Sequence, residues 1–356
     1  MYVRFFVLLQ TVKRCKSIIF FNMKIAVVGA TGMVGGKMLE VMEEQHVFPD
    51  VLIPAASERS VGKQLMFNGK PVTVVSVGQA IEMRPDIAIF SAGAEASLAY
   101  AGQFARNGCY VIDNSSAWRM DKDVPLVVPE INAETVTADT HIIANPNCST
   151  IGMVMAVAPL HRRYGVKRLV ISTYQSVTGS GMRGLNQLEK EEKGEKADNP
   201  AYPHPIFRNI IPHGGSFCED GYTTEEQKLV NETRKILSAP QIAITATVAR
   251  VPVIGGHSEA VNIEFESAFD LNEVKSILAN TPGVVVCDEP EKNVYPTARL
   301  AHDRDEVFVG RLRRDFSIAN GLNMWVVSDN LRKGAATNAV QIAKVVLNDI
   351  LKQPLK

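Results

Sequence analysis

Lys24-Ile25-Ala26-Val27-Val28 runs without a break into Gly29-Ala30-Thr31-Gly32-Met33-Val34-Gly35, and Met33 to Glu44 then carries apolar residues at helical spacing. Few junctions restrict a fold as tightly. A run of unbroken apolar residues reads as a strand buried on both faces, the kind found in parallel sheets. Glycines in the turn permit a tight bend and close backbone approach to a pyrophosphate, whose charge the helix start stabilises. Strand, G-x-x-G-x-x-G and helix in that order predict a dinucleotide site.

The chain keeps the same rhythm further on. Val51 to Ala56 reads as the second strand and ends at Ser57-Glu58-Arg59-Ser60. Arg59 and Ser60 suit a ribose 2′-phosphate and favour NADP, whereas the Glu58 carboxylate suits the 2′-hydroxyl of NAD. A third reading is an exposed charged turn. Ile87–Phe90 is a further strand, followed by a helix over Glu95–Asn107 and a strand over Cys109–Asp113 that places Cys109 in the core. Such alternation predicts a Rossmann-type, doubly wound parallel sheet of the α/β class. Asn114 to Arg119 falls at a strand's carboxyl end, where these sheets bind ligands. Arg119 is either an anion ligand there or a surface cation.

Asn145-Pro146-Asn147-Cys148-Ser149-Thr150 joins a short apolar run to a helix-period segment, Ile151 to Tyr164. Cys148 falls in or beside the first helical turn, where free N–H groups and the helix dipole lower a thiol's pKa. It is therefore a candidate nucleophile, against the alternative of a buried structural cysteine. Beyond it the pattern changes. Val166 to Val177 alternates as a half-exposed antiparallel strand and ends in a Thr178–Gly181 loop. Glu189 to Asp198 reads as a solvated helix face, and Thr224 to Leu237 as a capped helix with early acids and a late Lys235. Strands follow at Ile242–Val251, Glu259–Glu266, Val284–Cys287, Val307–Arg313 and Gly321–Ser328, and an amphipathic helix at Asn338–Leu351. These elements predict an α+β domain with a mixed or antiparallel sheet.

Composition narrows the function. Lys plus Arg equals Asp plus Glu at 38 each, so no net field draws the chain to nucleic acid or an anionic membrane. No run approaches the length of a membrane-spanning helix. Five scattered cysteines without a C-x-x-C pair fit a reducing, cytoplasmic setting and argue against a zinc site. Met1 to Asn22 is basic and acid-free; we read Met23 as the working start and expect residues 1–22 to lie outside the fold, a transit peptide being the alternative.

Six motifs together resemble the aspartate-semialdehyde dehydrogenase family from about Met23 onward. They are Gly29-Ala30-Thr31-Gly32-x-Val34-Gly35, Asn147-Cys148-Ser149-Thr150, Tyr174-Gln175-x-Val177-x-Gly179-x-Gly181, Glu225-x-x-Lys228, Arg250-Val251-Pro252-Val253 leading to His257-Ser258-Glu259, and Asn330-Leu331-x-Lys333-Gly334-Ala335-Ala336. The resemblance implies Cys148 as the acyl-thioester nucleophile, His257 as general acid/base and Gln175 as the group orienting the acyl carbon. It implies Arg250 at the substrate carboxylate and Glu225 at its ammonium, with Arg119, Lys228 and Asn147 at phosphate. Gly29, Thr31, Gly32, Met33, Val34, Gly35, Arg59, Ser60, Thr178, Gly179 and Asn330 would line an NADP site. It also implies an NADP-binding domain of residues 23–147 plus 331–356, a catalytic and dimerisation domain of residues 148–330, and a homodimer or dimer of dimers.

The implied reaction is the reversible, phosphate-dependent reduction of aspartyl 4-phosphate to aspartate 4-semialdehyde, feeding lysine (through diaminopimelate), threonine, methionine and isoleucine. The residue types suit it. The nucleophile must also leave easily, which a thiol does better than serine. An imidazole with pKa about 6.5 can take and return the thiol proton, worth about 10²–10⁴ in rate. Arginine's planar fork matches a carboxylate. Glu225 and Lys228 are also spaced as a plain i,i+3 ion pair. Rivals are N-acetyl-gamma-glutamyl-phosphate reductase, which carries glycine where Asn147 stands, glyceraldehyde-3-phosphate dehydrogenase, whose Ser-Cys-Thr-Thr core is absent, and a silent nucleotide-binding paralogue.

Overall fold

The computed structural model describes residues 22–352, so the reading of the N-terminal extension falls, but for Asn22, outside the described residues. The first layer is built from β1 (Lys24–Val28), α1 (Met33–Glu44), β2 (Val51–Ala56), a hairpin of β3 (Gln64–Phe67) and β4 (Lys70–Thr73), β5 (Val75–Ser76), α2 (Val77–Glu82), β6 (Ile87–Phe90), α3 (Ala94–Arg106), β7 (Tyr110–Asp113), α4 (Pro129–Asn132) and β8 (Ile142–Ala144). Its six-stranded sheet has the order β5-β2-β1-β6-β7-β8, and every pair is parallel. The winding direction reverses between β1 and β6, so a crevice opens at their carboxyl ends. Gly29 sits at that point with φ +89°, and a Cβ there would fall 2.5 Å from the Ser91 carbonyl oxygen. Only glycine fits both the left-handed backbone and the close approach.

A long helix, α5 (Cys148–Tyr164), leads into the second layer: β9 (Val166–Gln175), α6 (Gly181–Glu192), α7 (Thr224–Ile236), β10 (Ala243–Arg250), β11 (His257–Phe265), α8 (Leu271–Ala279), β12 (Val284–Val286), α9 (Ala298–Ala301), β13 (Val307–Asp315) and β14 (Gly321–Ser328). Strand order is β10-β9-β11-β14-β13-β12, with parallel pairs at the two edges and antiparallel pairs between. Ser149 to Ala158 is buried without interruption because α5 lies in the core between this sheet and its neighbouring helices.

Four local expectations change. β9 is antiparallel to β11 but parallel to β10, a partner that alternation alone cannot specify. Residues 177–180 form a 3₁₀ turn instead of a loop. The charged stretch Glu189–Asp198 is helical only to Glu192, and Glu191 is not solvated: its Oε2 accepts the backbone N–H groups of Ile206 and Phe207. The last helix, α10 (Thr337–Val345), is entered through a wide π-turn at Arg332–Ala336. Its Ala339, Val340, Ile342 and Ala343 share a core with Ile25, Val27, Met38 and Ile112 of the first layer.

Candidate active site

The turn before α5 is held at almost every polar atom. Asn147 is the N-cap, its Oδ1 accepting the Ser149 N–H at 3.0 Å and the Thr150 N–H at 3.5 Å. Its Nδ2 donates to Glu225 Oε1 (2.6 Å) and its backbone N–H to Glu232 Oε2 (2.7 Å). Asn145 donates to Asn114 Oδ1 (2.8 Å) and accepts from Asn338 (2.6 Å), while its carbonyl accepts from Arg119 Nε (2.9 Å). A buried network this nearly satisfied, with the Thr150 hydroxyl left unpaired, favours one geometry.

Cys148, half-buried, opens from that turn into a cavity of about 240 Å3. Val34 of the glycine turn, Arg119, Asn147, Thr178, Gly179 and Asn330 share the lining. The expected low thiol pKa is not found. Burial and the Glu225 carboxylate push Cys148 up to about 11, outweighing Arg250, Arg119 and the Ser149 N–H, which pull it down. The helix start acts in the direction expected, but desolvation is larger.

Gln175, Arg250 and His257 gather at one end of the second sheet and do not themselves line that cavity. Gln175 closes β9 in register with Arg250 at the end of β10, and His257 opens the neighbouring β11. Gln175 Nε2 donates to Ser149 Oγ at 2.9 Å, which ties this end to the first turn of α5. Gly179, which does line the cavity, lies directly against this cluster, since a Cβ there would fall 2.4 Å from Arg250 Nη1 and 3.1 Å from His257 Nε2. Arg250 Nη1 donates to the Ser176 carbonyl at 3.3 Å. His257 Nδ1 accepts the Ser176 N–H at 3.1 Å, so the neutral ring carries its proton on Nε2. Burial and the Arg250 charge bring His257 down to about 3, not the 6.5 of a free imidazole, although Glu225 opposes them. His257 Nε2 and Gln175 Oε1 are buried without a partner. Two unsatisfied polar atoms at one site are what a polar ligand would complete.

The phosphate candidates come together with acids already attached. Lys228 Nζ bonds Glu225 Oε2 at 2.8 Å, so the plain i,i+3 pair does exist, and Glu225 also holds Asn147. Burial opposes the Glu225 charge, yet Lys228 and Arg250 bring its pKa down to about 2. Arg119, 7% exposed, bonds the Asn145 and Asn114 carbonyls and Glu232 Oε1 (3.0 Å). Arg119 and Lys228 also line a smaller cavity of about 170 Å3 with Ser116, Thr224, Gln227 and Asn231.

At the nucleotide end, Gly32 caps α1 without a side-chain bond and the first turn has no acid. Its N–H groups are thus available to a pyrophosphate. Thr31 Oγ1 (3.4 Å) and Lys63 Nζ (3.5 Å) both donate to Ser60 Oγ, while Arg59 is exposed beside it. Asn330 bonds Thr178 Oγ1 and accepts from Ser176 Oγ (2.9 Å) next to His257. These groups fit a phosphorylated dinucleotide. Glu232, Asn145, Ser176 and Lys63 were missed from sequence. Glu232 had a usable signal, because it stands seven residues, two helical turns, after Glu225 and shares its face. Among the described residues no cluster of three or more His, Cys, Asp or Glu could hold a metal, and no helix is long and apolar enough to cross a membrane.

A doubly wound layer with a glycine-turned crevice, joined to a mixed sheet, defines the class of two-domain, nucleotide-dependent dehydrogenases. The family model described as semialdehyde dehydrogenase, NAD binding domain, matches residues 24–138, and that described as semialdehyde dehydrogenase, dimerisation domain, matches residues 157–333. The aspartate-semialdehyde dehydrogenase of Aquifex aeolicus is 49% identical over 334 residues, 92% of this chain and 98% of that protein. The chain belongs to the aspartate-semialdehyde dehydrogenase family. The Bacillus subtilis relative of that name is 42% identical over 91% of this chain and 97% of its own. Among solved structures, aspartate semialdehyde dehydrogenase II of Vibrio cholerae complexed with ASA superposes with a TM-score of 0.89 at 44% identity, covering 92% of this chain and 99% of that one. The Candida albicans enzyme with NADP gives 0.72 at 26% identity, covering 91% and 98%.

Proposed function

We propose that this chain catalyses the reversible, NADP-dependent and phosphate-dependent interconversion of aspartyl 4-phosphate and aspartate 4-semialdehyde through a thioester on Cys148, supplying synthesis of lysine, threonine, methionine and isoleucine. The observation carrying it is Cys148 at a capped helix start, in one cavity with the glycine-turn residue Val34 and with Gly179, which abuts Arg250 and His257. Arg250 takes the substrate carboxylate and Glu225 its ammonium. The carboxylate on Arg250 offsets the charge that, with burial, depresses His257. In the reductive direction His257 Nε2–H donates to the oxygen that gains charge at the thioester carbon. Gln175 orients that carbon, and Arg119, Lys228 and Asn147 hold the phosphate. The nicotinamide supplies or accepts the hydride.

Arg59 and Ser60, with Lys63 beside them, support NADP over NAD. We divide the chain into an NADP-binding domain of residues 23–147 plus 331–356 and a catalytic domain of residues 148–330. We also propose a homodimer in the cytoplasm. A cavity of about 580 Å3 on the second sheet, lined by Ser172, Asn262, Arg311, Met324 and Trp325, supports pairing there. The deciding experiment measures reduced cofactor formed from aspartate semialdehyde and phosphate, with NADP and NAD, against N-acetylglutamate semialdehyde and glyceraldehyde 3-phosphate. Turnover is expected with the first aldehyde only, needing phosphate and preferring NADP. Turnover indifferent to phosphate would refute the phosphorolytic step, and turnover retained by Cys148→Ala would refute the thioester.

A further inference from the structure

Glu232 is a carboxylate 1% exposed, on α7, with a bonded donor on each oxygen. The Asn147 backbone N–H anchors Oε2 at 2.7 Å, which fixes the plane of the carboxylate because the donor belongs to the rigid turn before Cys148. Oε1 is thereby presented to Arg119 Nη1 at 3.0 Å. Arg119 Nε reaches the Asn145 carbonyl at 2.9 Å and Nη2 the Asn114 carbonyl at 2.7 Å. The guanidinium is therefore pinned at three points, two of them main chain. Of its five N–H groups two remain, one on each terminal nitrogen, the pair that a phosphate takes up in a bidentate contact. Arg119 and Glu232 together form part of the wall of the 170 Å3 cavity that also holds Lys228 and Asn231.

We propose that Glu232 is a positioning residue for the phosphate step, aiming the Arg119 guanidinium at phosphate from an anchor on the nucleophile's own N-cap. The proposal rests on the reading of Arg119 and Lys228 as phosphate ligands. In the oxidative direction a phosphate oxygen bonds the thioester carbon, the carbon–sulfur bond breaks, and Cys148 sulfur leaves with the electron pair and is reprotonated. Hydride transfer precedes this and needs no phosphate, so Glu232 acts on the second half of the cycle alone.

Glu232→Gln separates the halves. Its single amide oxygen can serve only one of the two donors, and its NH2 then faces the other, donor to donor. In the full-length protein the first-turnover burst of NADPH, and the KM values for semialdehyde and NADP, should stay within about twofold, while KM for phosphate should rise about tenfold, the loss expected of one charge-assisted hydrogen bond. Glu232→Asp keeps the charge but is one methylene too short to span both donors. It should show the same phosphate-specific loss and serves if the glutamine variant does not fold. An unmoved phosphate KM, or a burst that falls in step with phosphorolysis as a general structural role requires, overturns the proposal. A wild-type enzyme indifferent to phosphate removes the phosphate site itself; a phosphate-dependent one with unmoved variants removes only Glu232.

Discussion

At the scale of the residue, Cys148 shows why position alone does not set a thiol's chemistry. It has the helix start, Arg250 and Arg119 in its favour, yet burial and Glu225 hold it up to about 11. Because the folded value lies above that of an unfolded cysteine, the stability this thiol contributes is fully present below the ordinary cysteine range and is lost as pH rises from there through about 11. Reactivity follows the same sign. Iodoacetamide alkylation of Cys148, followed by peptide mass spectrometry, should keep accelerating as pH climbs towards about 11; a limb completed near pH 8.5 would mean that the helix and cations prevail. The motif residues Gln175, Arg250 and His257 were legible because resemblance names them. The lowered proton affinity of His257 was not, because the burial that chiefly causes it depends on residues distant in sequence.

At the scale of the element, the buried strands and long helices could be read from their periods, and most boundaries fall within a residue or two. The β3–β4 hairpin was overlooked although Asn68-Gly69, both at positive φ (48° and 70°), is a strong two-residue turn signal. The parallel pairing of β9 with β10 left no local trace, since alternation fixes a face and not a partner. The π-turn into α10 was equally unreadable; within it Lys333, 2% exposed, bonds both Glu130 oxygens (2.8 and 2.7 Å), Asn338 and Gln341, partners that no local pattern names. Lys333→Met should cost about 3 kcal/mol, the low end for a broken buried pair because Glu130 retains some water. Urea unfolding measures it, and a loss under about 1 kcal/mol would mean the carboxylate rehydrates freely.

At the scale of the whole molecule, the two layers are fastened beside the π-turn. Arg332 bonds both oxygens of Glu44 on α1 (2.6 and 3.0 Å) and Asp303 ahead of β13 (2.6 Å), while Lys37 of α1 also reaches Asp303. The arginine is buried but its acids are about half exposed, so the clasp is screened in part. Arg332→Ala should lower stability by about 2 kcal/mol at low salt, and the gap from wild type should narrow in 1 M NaCl, where the Debye length is about 3 Å. Calorimetry at both salts checks this; a salt-independent gap would mark lost packing instead. That α10 closes the first layer was not derivable from its pattern, because an amphipathic face does not say which core it fills.

The return of α10 also has a temporal meaning. During synthesis the strands β1 to β8 leave the ribosome early, yet the apolar flank against which Ala339, Val340, Ile342 and Ala343 settle stays bare until the whole second layer has been made. The first layer is thus begun before the second and completed after it. A nascent chain of this design is inactive by construction and dependent on whatever shields that flank until the closing helix emerges.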